Sequence, residues 1–166
     1  MSGAPFRVAL LDTALDRSTF SSGTEALDRY FQQQVTQDVR RRVTSCFVAL
    51  HQESCIAAYY TLASASILLS DLPASVGKKL PRYPSVPAVR MGRLAVATRF
   101  QGQGLGGALL GDALAHAARA EISAYALVVD ALDASAAAFY RHHGFIALPR
   151  ASLTLFLPLS VCKALE

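Results

Sequence analysis

Arg99-Phe100-Gln101-Gly102-Gln103-Gly104-Leu105-Gly106-Gly107 lies between a run that reads as a strand and one that reads as a helix. Four glycines in the six positions 102–107 are costly at a helix start unless the backbone must come close to something. The first amides of a helix have no intrahelical partner, and the helix dipole makes that end positive. Together they suit an anion such as a diphosphate. The plain alternative is a turn that only reverses the chain. A Walker loop is excluded, because no Gly-Lys-Ser/Thr follows. Gly102, Gly104 and Gly107 match G-x-G-x-x-G, and Asp130 ends the next strand about where a ribose-binding acid belongs. Against a dinucleotide fold, only 59 residues follow Gly107, and the strands before it read as antiparallel.

Outward from this turn, Val89–Val96 reads as one strand on its N-terminal side. Gly104–Arg119 is an amphipathic helix, with Leu109, Leu110 and Leu114 towards a core and Asp112, His116 and Arg119 on the other face. Tyr125–Val129 is an apolar strand ending at Asp130, and Asp133 opens a small helix, Ala134–His142, that stops at Gly144. Leu153–Leu159 makes a last strand. Upstream, Phe6–Leu11 is a first strand, and Ser22 with Glu25 forms a capping box for a helix carrying Leu27, Tyr30, Phe31 and Val35. That helix closes on Arg40, Arg41 and Arg42, cations where the dipole favours them. Val43–Leu50 and Cys55–Ala63 read as a hairpin. Leu72–Pro87 holds four prolines, so it is a loop or a short helix between them. Adjacent early strands and later strands alternating with helices define an α/β class with a mixed sheet.

The 166 residues correspond to a single domain spanning 1–166. Charged residues are 17% of the chain, which leaves apolar surface for a partner or an oligomer. No run approaches about 18 apolar residues, and MSGAPFRVALLD lacks the pattern of a signal peptide. The expectation is a cytoplasmic protein without a membrane role. Sixteen Lys+Arg against twelve Asp+Glu exclude a basic tail or an acidic disordered segment. From Arg40 to Arg99, however, nine basic residues face only two acids. A basic stripe of that kind suits a polyanion, although Arg40–Arg42 alone reads equally as a solvated helix end. Cys46 and Cys55 fall in strands and read as small buried hydrophobes; with Cys162 they are too few and scattered for disulfides or zinc. His142 and His143 are neighbours that cannot share a helical face, so no metal is expected there. Nothing resembles a nucleophile elbow.

Arg99-x-x-Gly102-x-Gly104 resembles the acetyl-CoA loop of the GNAT superfamily of N-acetyltransferases. Gly92-Arg93-Leu94-Ala95-Val96 before it extends the resemblance, as does Val129-Asp130-Ala131-Leu132-Asp133-x-x-Ala136-x-x-Phe139-Tyr140-x-x-x-Gly144-Phe145 after it. The outline, including Leu62–Ala65 and Leu80–Pro84, is similar to the GNAT toxins of bacterial toxin–antitoxin pairs, which acetylate aminoacyl-tRNA. One departure is Asp133, where the superfamily often has Asn; both can cap a helix. The resemblance implies the GNAT acyl-CoA N-acyltransferase fold, a mixed twisted sheet flanked by helices, with acetyl-CoA (coenzyme A) as co-substrate and no metal. It implies that the Leu94, Ala95 and Val96 backbone pairs with the pantetheine arm. It further implies that amides of Gln101, Gly102, Gln103, Gly104, Leu105 and Gly106 hold the diphosphate, with Arg99 nearby. Asp133 and Phe139 belong to the same cofactor site, and Tyr140 is the general acid on the departing thiolate. Lys79, Arg90 and Arg93 are candidates for tRNA binding. The implied partner is an antitoxin with a ribbon-helix-helix DNA-binding part, DNA being reached only through it. A homodimer also fits the low charge content.

Amine acetylation needs a positioned amine, a donor for the oxyanion and a proton for the leaving sulfur. The implied oxyanion donor is a backbone N–H where the Leu94–Val96 strand parts from its neighbour. A tyrosine pKa of about 10 exceeds a thiol's of about 8.5, so a strong hydrogen bond to the thiolate is easier than full transfer. Without the resemblance, Tyr140 would read as a packing residue beside Phe139. No clear general base appears, which suits an α-amine, with its pKa of about 7.7–8.0, better than a lysine. Two other readings stand beside the toxin: a GNAT acting on a small amine or a protein N-terminus, and a non-catalytic acyl-CoA-binding regulator.

Overall fold

In the computed structural model, which describes residues 6–165, Phe6–Leu10 (β1) pairs antiparallel with Ser45–His51 (β2). The opening residues of MSGAPFRVALLD lie outside the described part. β2 pairs antiparallel with Cys55–Leu68 (β3), as the hairpin pattern predicts, and β3 runs five residues past its expected end at Ala63. Gln52 and Glu53 turn the hairpin with φ of +55° and +68°, the left-handed pair that matches strand twist.

Contacts group the chain into two units. The first comprises residues 6–63 and 92–113. Its centre is the first half of β3, where successive side chains point to opposite faces. Tyr59 stacks on Phe31 at 4.2 Å, and its hydroxyl donates to the Leu27 carbonyl at 2.6 Å. Tyr60 stacks on Phe47 at 5.1 Å and donates to Asp112 Oδ2 at 2.5 Å. One strand thereby anchors two helical segments through adjacent tyrosines, both fully buried. The first of these segments is not the uninterrupted helix expected. It comprises α1 (Glu25–Arg29), a π turn (Tyr30–Gln34) and α2 (Val35–Arg40). The capping box also differs. Ser22 donates both its amide and its hydroxyl to Asp28 Oδ1, at 2.9 and 2.7 Å, while Thr24 is the N-cap and Glu25 pairs with Arg29. Ser22 lies two residues before the cap, too early to serve the first-turn amides.

The strand expected over Val89–Val96 is two strands, β4 (Ser85–Met91) and β5 (Leu94–Val96). Their partners differ, since β5 is antiparallel to β3 while β4 is parallel to β6 (Ala126–Asp130). The ladder therefore breaks at Gly92-Arg93. After β5 come a single 3₁₀ turn, Thr98–Phe100, and the helix α4 (Leu105–Arg119), which buries Leu109 and Leu110 as its pattern predicts.

The second unit comprises residues 64–91 and 114–165. The proline-rich stretch forms a 3₁₀ turn (Leu69–Asp71) and the one-turn α3 (Ala74–Gly77), but Pro87 lies inside β4. It is accommodated near the strand's start, one residue before pairing with β6 begins at Ala88. β6 pairs antiparallel with β8 (Ala151–Pro158), which pairs with β7 (Ile146–Leu148). β7 has only three residues, too few for a pattern to register in sequence. Ile67, Leu72, Val86, Val128 and Phe156 are among the residues of its apolar core. The strand order is β1-β2-β3-β4-β6-β8-β7, with β5 on β3; the sheet is mixed as expected, with eight strands where the sequence showed six. Among the described residues, no helix is long and apolar enough to cross a membrane.

The helix α5 (Ala134–His142) starts and ends where its sequence signals place it. Asp133 Oδ1 accepts from the Ala136 amide at 2.9 Å, and Gly144 follows with φ of +92°. Asp133→Ala should lower stability by about 0.5–2 kcal/mol, and Asp133→Asn by much less. Urea unfolding of the two variants checks this.

Candidate active site

In the first unit, β5 presents an open backbone edge. Thr61 donates to the Arg93 carbonyl at 3.1 Å and Ala97 to the Ala57 carbonyl at 2.8 Å. In an antiparallel ladder bonded pairs alternate, so Ala95 is engaged by Tyr59. The polar backbone groups of Leu94 and Val96 point away from β3. Of these, the Val96 carbonyl accepts from Gln101 Nε2 at 2.8 Å, and the same amide group donates to the Ser22 carbonyl at 2.8 Å. Gln101 thus fastens the glycine turn to β5 through its side chain, and its own amide, expected on the diphosphate, instead donates to the Thr98 carbonyl at 3.3 Å.

The turn itself is built on left-handed backbone. Gly102 and Gly104 have φ of +79° and +81°, and a Cβ at either position would meet nothing within 4 Å. Their need for glycine is conformational, and the space above them is empty. Amides 102–107 donate to no group among the described residues; the first to do so is Ala108, bonded to the Gly104 carbonyl at 3.1 Å. Leu105 is buried and anchors the helix start, while Gly106 is half-buried and Gln103 exposed. Arg99 is exposed, its guanidinium 4.9 Å from the Phe100 ring. A cleft of about 400 Å³ borders this segment, lined by Asp16, Phe20, Ser21, Cys55, Thr98 and Arg99 among others. Arg99 is its one lining residue in common with the expected coenzyme site.

In the second unit, Tyr140 sits on α5 between Phe139 and Phe145, with ring centroids at 5.2 and 5.7 Å. Four tyrosines are at most 8% exposed: Tyr30, Tyr59, Tyr60 and Tyr140. The first three donate to Asp38, the Leu27 carbonyl and Asp112. Tyr140 alone of the four makes no hydrogen bond with a described residue. The one buried side-chain polar atom left unpartnered among the described residues is His51 Nδ1. Burial, and secondarily the Asp130 carboxylate, push the pKa of Tyr140 above the ordinary tyrosine value, so it remains a proton donor at neutral pH.

A family model described as an acetyltransferase (GNAT) domain matches residues 44–147. The chain is 36% identical to a tRNA-acetylating toxin of Mycobacterium tuberculosis, over 99% of this chain and 98% of that protein. The chain belongs to the GNAT acetyltransferases. It is similar to the solved structure of AtaT complexed with acetyl-methionyl-tRNAfMet, with a TM-score of 0.89 and 29% identity, covering 96% of this chain and 98% of the other. A tyrosine-to-phenylalanine mutant of the AtaT toxin, bound to the C-terminus of the antitoxin AtaR, gives a TM-score of 0.84 at 25% identity, with 98% of each chain covered.

As a GNAT member the protein is an N-acetyltransferase, with acetyl-CoA as its acetyl donor. The residues fit that donor: six consecutive unpaired amides suit a diphosphate, and the two left-handed glycines leave it room. The dinucleotide alternative fails on topology, because the strand before the turn is antiparallel to its neighbour. Asp130, the acid that reading needed, pairs with Arg90 at 2.6 Å.

The sequence-predicted residues divide between the two units. Arg93, β5 and Arg99–Gly106 lie together in the first, whereas Lys79, Arg90, Asp133, Phe139 and Tyr140 belong to the second. Lys79 is exposed just after α3. Arg93 Cζ lies 3.5 Å from the Tyr30 ring centroid. Burial raises the Cys46 thiol to about 12, so it is no nucleophile. Sequence reasoning missed the Tyr60–Asp112 bond and the Tyr30–Arg93 stack, since neither residue pair has a sequence spacing that announces it.

Gly102→Ala adds about 1–2 kcal/mol of left-handed strain to the turn proposed to hold the diphosphate. Acetyl-CoA affinity measured by calorimetry should fall at least about tenfold; a Kd within about twofold of wild type would remove the diphosphate from this turn.

Proposed function

We propose that this GNAT enzyme is a toxin that acetylates the α-amine of aminoacyl-tRNA and so blocks translation, and that a cognate antitoxin neutralises it. The observation that carries this reading is the likeness to a tRNA-acetylating toxin along 99% of the chain. The likeness to AtaT, solved with acetyl-methionyl-tRNAfMet and with its antitoxin's C-terminus, supports both substrate and partner. The finer expectations belong to the same proposal: one catalytic domain spanning 1–166, a cytoplasmic location, an antitoxin of ribbon-helix-helix type that carries the DNA contact, and a homodimer.

Roles follow residue by residue. The outward-facing backbone of Leu94 and Val96 binds the pantetheine arm as an added strand would, with Ala95 holding β5 to β3. Gln101 locks the turn, and the amides from Gly102 to Gly106 take the diphosphate, with Arg99 as a nearby cation. Asp133 caps the helix that carries Tyr140, and Phe139 packs against the Tyr140 ring. The amine attacks the thioester carbonyl, a C–N bond forms, the C–S bond breaks with the Tyr140 hydroxyl donating to the departing thiolate, and the proton lost by the attacking nitrogen passes through water, restoring Tyr140 and releasing coenzyme A as the thiol. A hydroxyl with no partner among the described residues, on a buried ring, supports that role, because donation breaks none of the bonds made there. Lys79, Arg90 and Arg93 attract the RNA.

Tyr140→Phe should lower kcat by roughly 10²–10⁴-fold with the acetyl-CoA Kd little changed. Expression of the wild type should arrest growth unless the antitoxin is supplied, and the same variant should relieve the arrest. A mass-spectrometric search for N-acetylated aminoacyl ester after reaction with charged tRNA decides against the small-amine and regulator readings.

With its pKa raised, Tyr140 stays protonated above the ordinary value of about 10. The wild-type rate should therefore rise with pH as the amine deprotonates and hold a plateau to at least about pH 10. A basic limb near about pH 8–9 that vanishes in Tyr140→Phe would contradict this assignment.

A further inference from the structure

The basic residues named for RNA binding are not equivalent once their contacts are known. Arg90 donates to Asp130 at 2.6 Å, and Asp130 also accepts from Thr154 at 3.5 Å. Its charge is compensated, through one of its five donors. Arg93 has no carboxylate within ion-pair distance and no hydrogen bond among the described residues. Its backbone is nonetheless fixed, because its carbonyl accepts from the Thr61 amide one residue before β5.

What holds the Arg93 side chain is the face of Tyr30, 3.5 Å from Cζ to ring centroid. Tyr30 opens the π turn, and its ring is itself held at the far end. Its hydroxyl donates to Asp38 Oδ2 at 2.8 Å, and Asp38 Oδ1 accepts from Gln34 Nε2 at 3.1 Å. A guanidinium held over an aromatic face spends none of its N–H donors on an acceptor there, so its fork stays available to bind phosphate bidentately. Asp38 lies near enough to attract Arg93, and Arg41 acts on the same carboxylate. Asp38 is held below the usual carboxylate range, first by its hydrogen bonds from Gln34 and Tyr30, so it stays ionised at neutral pH.

We infer that Tyr30, presented by the π turn and braced by Asp38, is a positioning residue that holds Arg93 as a fixed fork for a phosphate of the acceptor RNA. This rests on the aminoacyl-tRNA reading and deepens it, since Arg93 adjoins the strand proposed to carry the pantetheine. A phosphate held beside that strand would set where the aminoacyl end of the RNA can reach. The stack fixes the fork before the RNA arrives, so less side-chain freedom is lost on binding.

The test compares kcat/KM on aminoacyl-tRNA with kcat/KM on aminoacyl-adenosine, an acceptor that carries no phosphate, for wild type, Arg93→Ala, Arg93→Lys, Tyr30→Phe and Tyr30→Leu. Arg93→Ala should lose about tenfold or more on tRNA relative to aminoacyl-adenosine, chiefly through KM, and flatten the salt dependence by about 0.7–1 in log–log slope. Arg93→Lys should recover the charge but little of the affinity, because an ammonium lacks the fork. Tyr30→Leu should behave like Arg93→Ala, and Tyr30→Phe, which keeps the ring, should fall between it and wild type. Calorimetric acetyl-CoA binding reports folding of each variant independently. Equal losses on both acceptors, or an unmoved salt slope in a folded Arg93→Ala variant, overturn the inference alone. A wild type that acetylates neither acceptor overturns the substrate reading and this inference with it.

Discussion

Unsatisfied backbone amides at the start of α4 are the constraint from which the chemistry follows. Six consecutive N–H groups, from Gly102 to Gly107, have no acceptor among the described residues. A helix interior would satisfy them, and a longer side chain at Gly102 or Gly104 would have to adopt a left-handed backbone while filling the space before them. The chain keeps the turn open by giving the duty of anchoring it to other residues. Leu105 is buried beneath it, and the Gln101 side chain binds two carbonyls, of Ser22 and Val96. Donors left unpaired and held still are what an anionic ligand requires, because little reorganisation is needed when it binds.

The same economy of hydrogen bonds separates structural tyrosines from the one left open. Tyr59 and Tyr60 stand on opposite faces of β3, and each hydroxyl ends on an acceptor in a helical segment. Tyr30 ends on Asp38. A buried hydroxyl without a partner is destabilising, so these bonds both satisfy the groups and fix the positions of the helices. Tyr140 shares their apolar ring environment without an acceptor among the described residues. Raised above the ordinary pKa chiefly by burial, it is a neutral hydroxyl at neutral pH.

Charge is arranged with comparable selectivity. The basic excess between Arg40 and Arg99 is a property of composition, yet the residues that make it differ in what they can still do. Arg90 is neutralised by Asp130 across neighbouring parallel strands, while Arg93 is stacked rather than paired. A guanidinium engaged by a carboxylate and one resting on a ring carry the same formal charge, but only the first has that charge neutralised by an ion pair.

Local signals decided much of this in advance. The glycine run, the Asp133 cap and the periodicity of α4 act within a few residues, so they were legible from the sequence, and α5 begins and ends where its cap and Gly144 put it. The short β7, the division of Val89–Val96 into two strands and the Ser22–Asp28 bond were not legible, because each depends on which distant backbone offers a partner. The family's motif marked Tyr140, but only the folded chain decided that its hydroxyl would stay unpaired while those of three other buried tyrosines were taken. It likewise decided that Arg93 would lie on Tyr30, 63 positions earlier in the numbering of the chain. Hydrogen bonds and stacks between remote residues form only when strand pairing brings them within a few ångströms, and no short-range pattern encodes that approach.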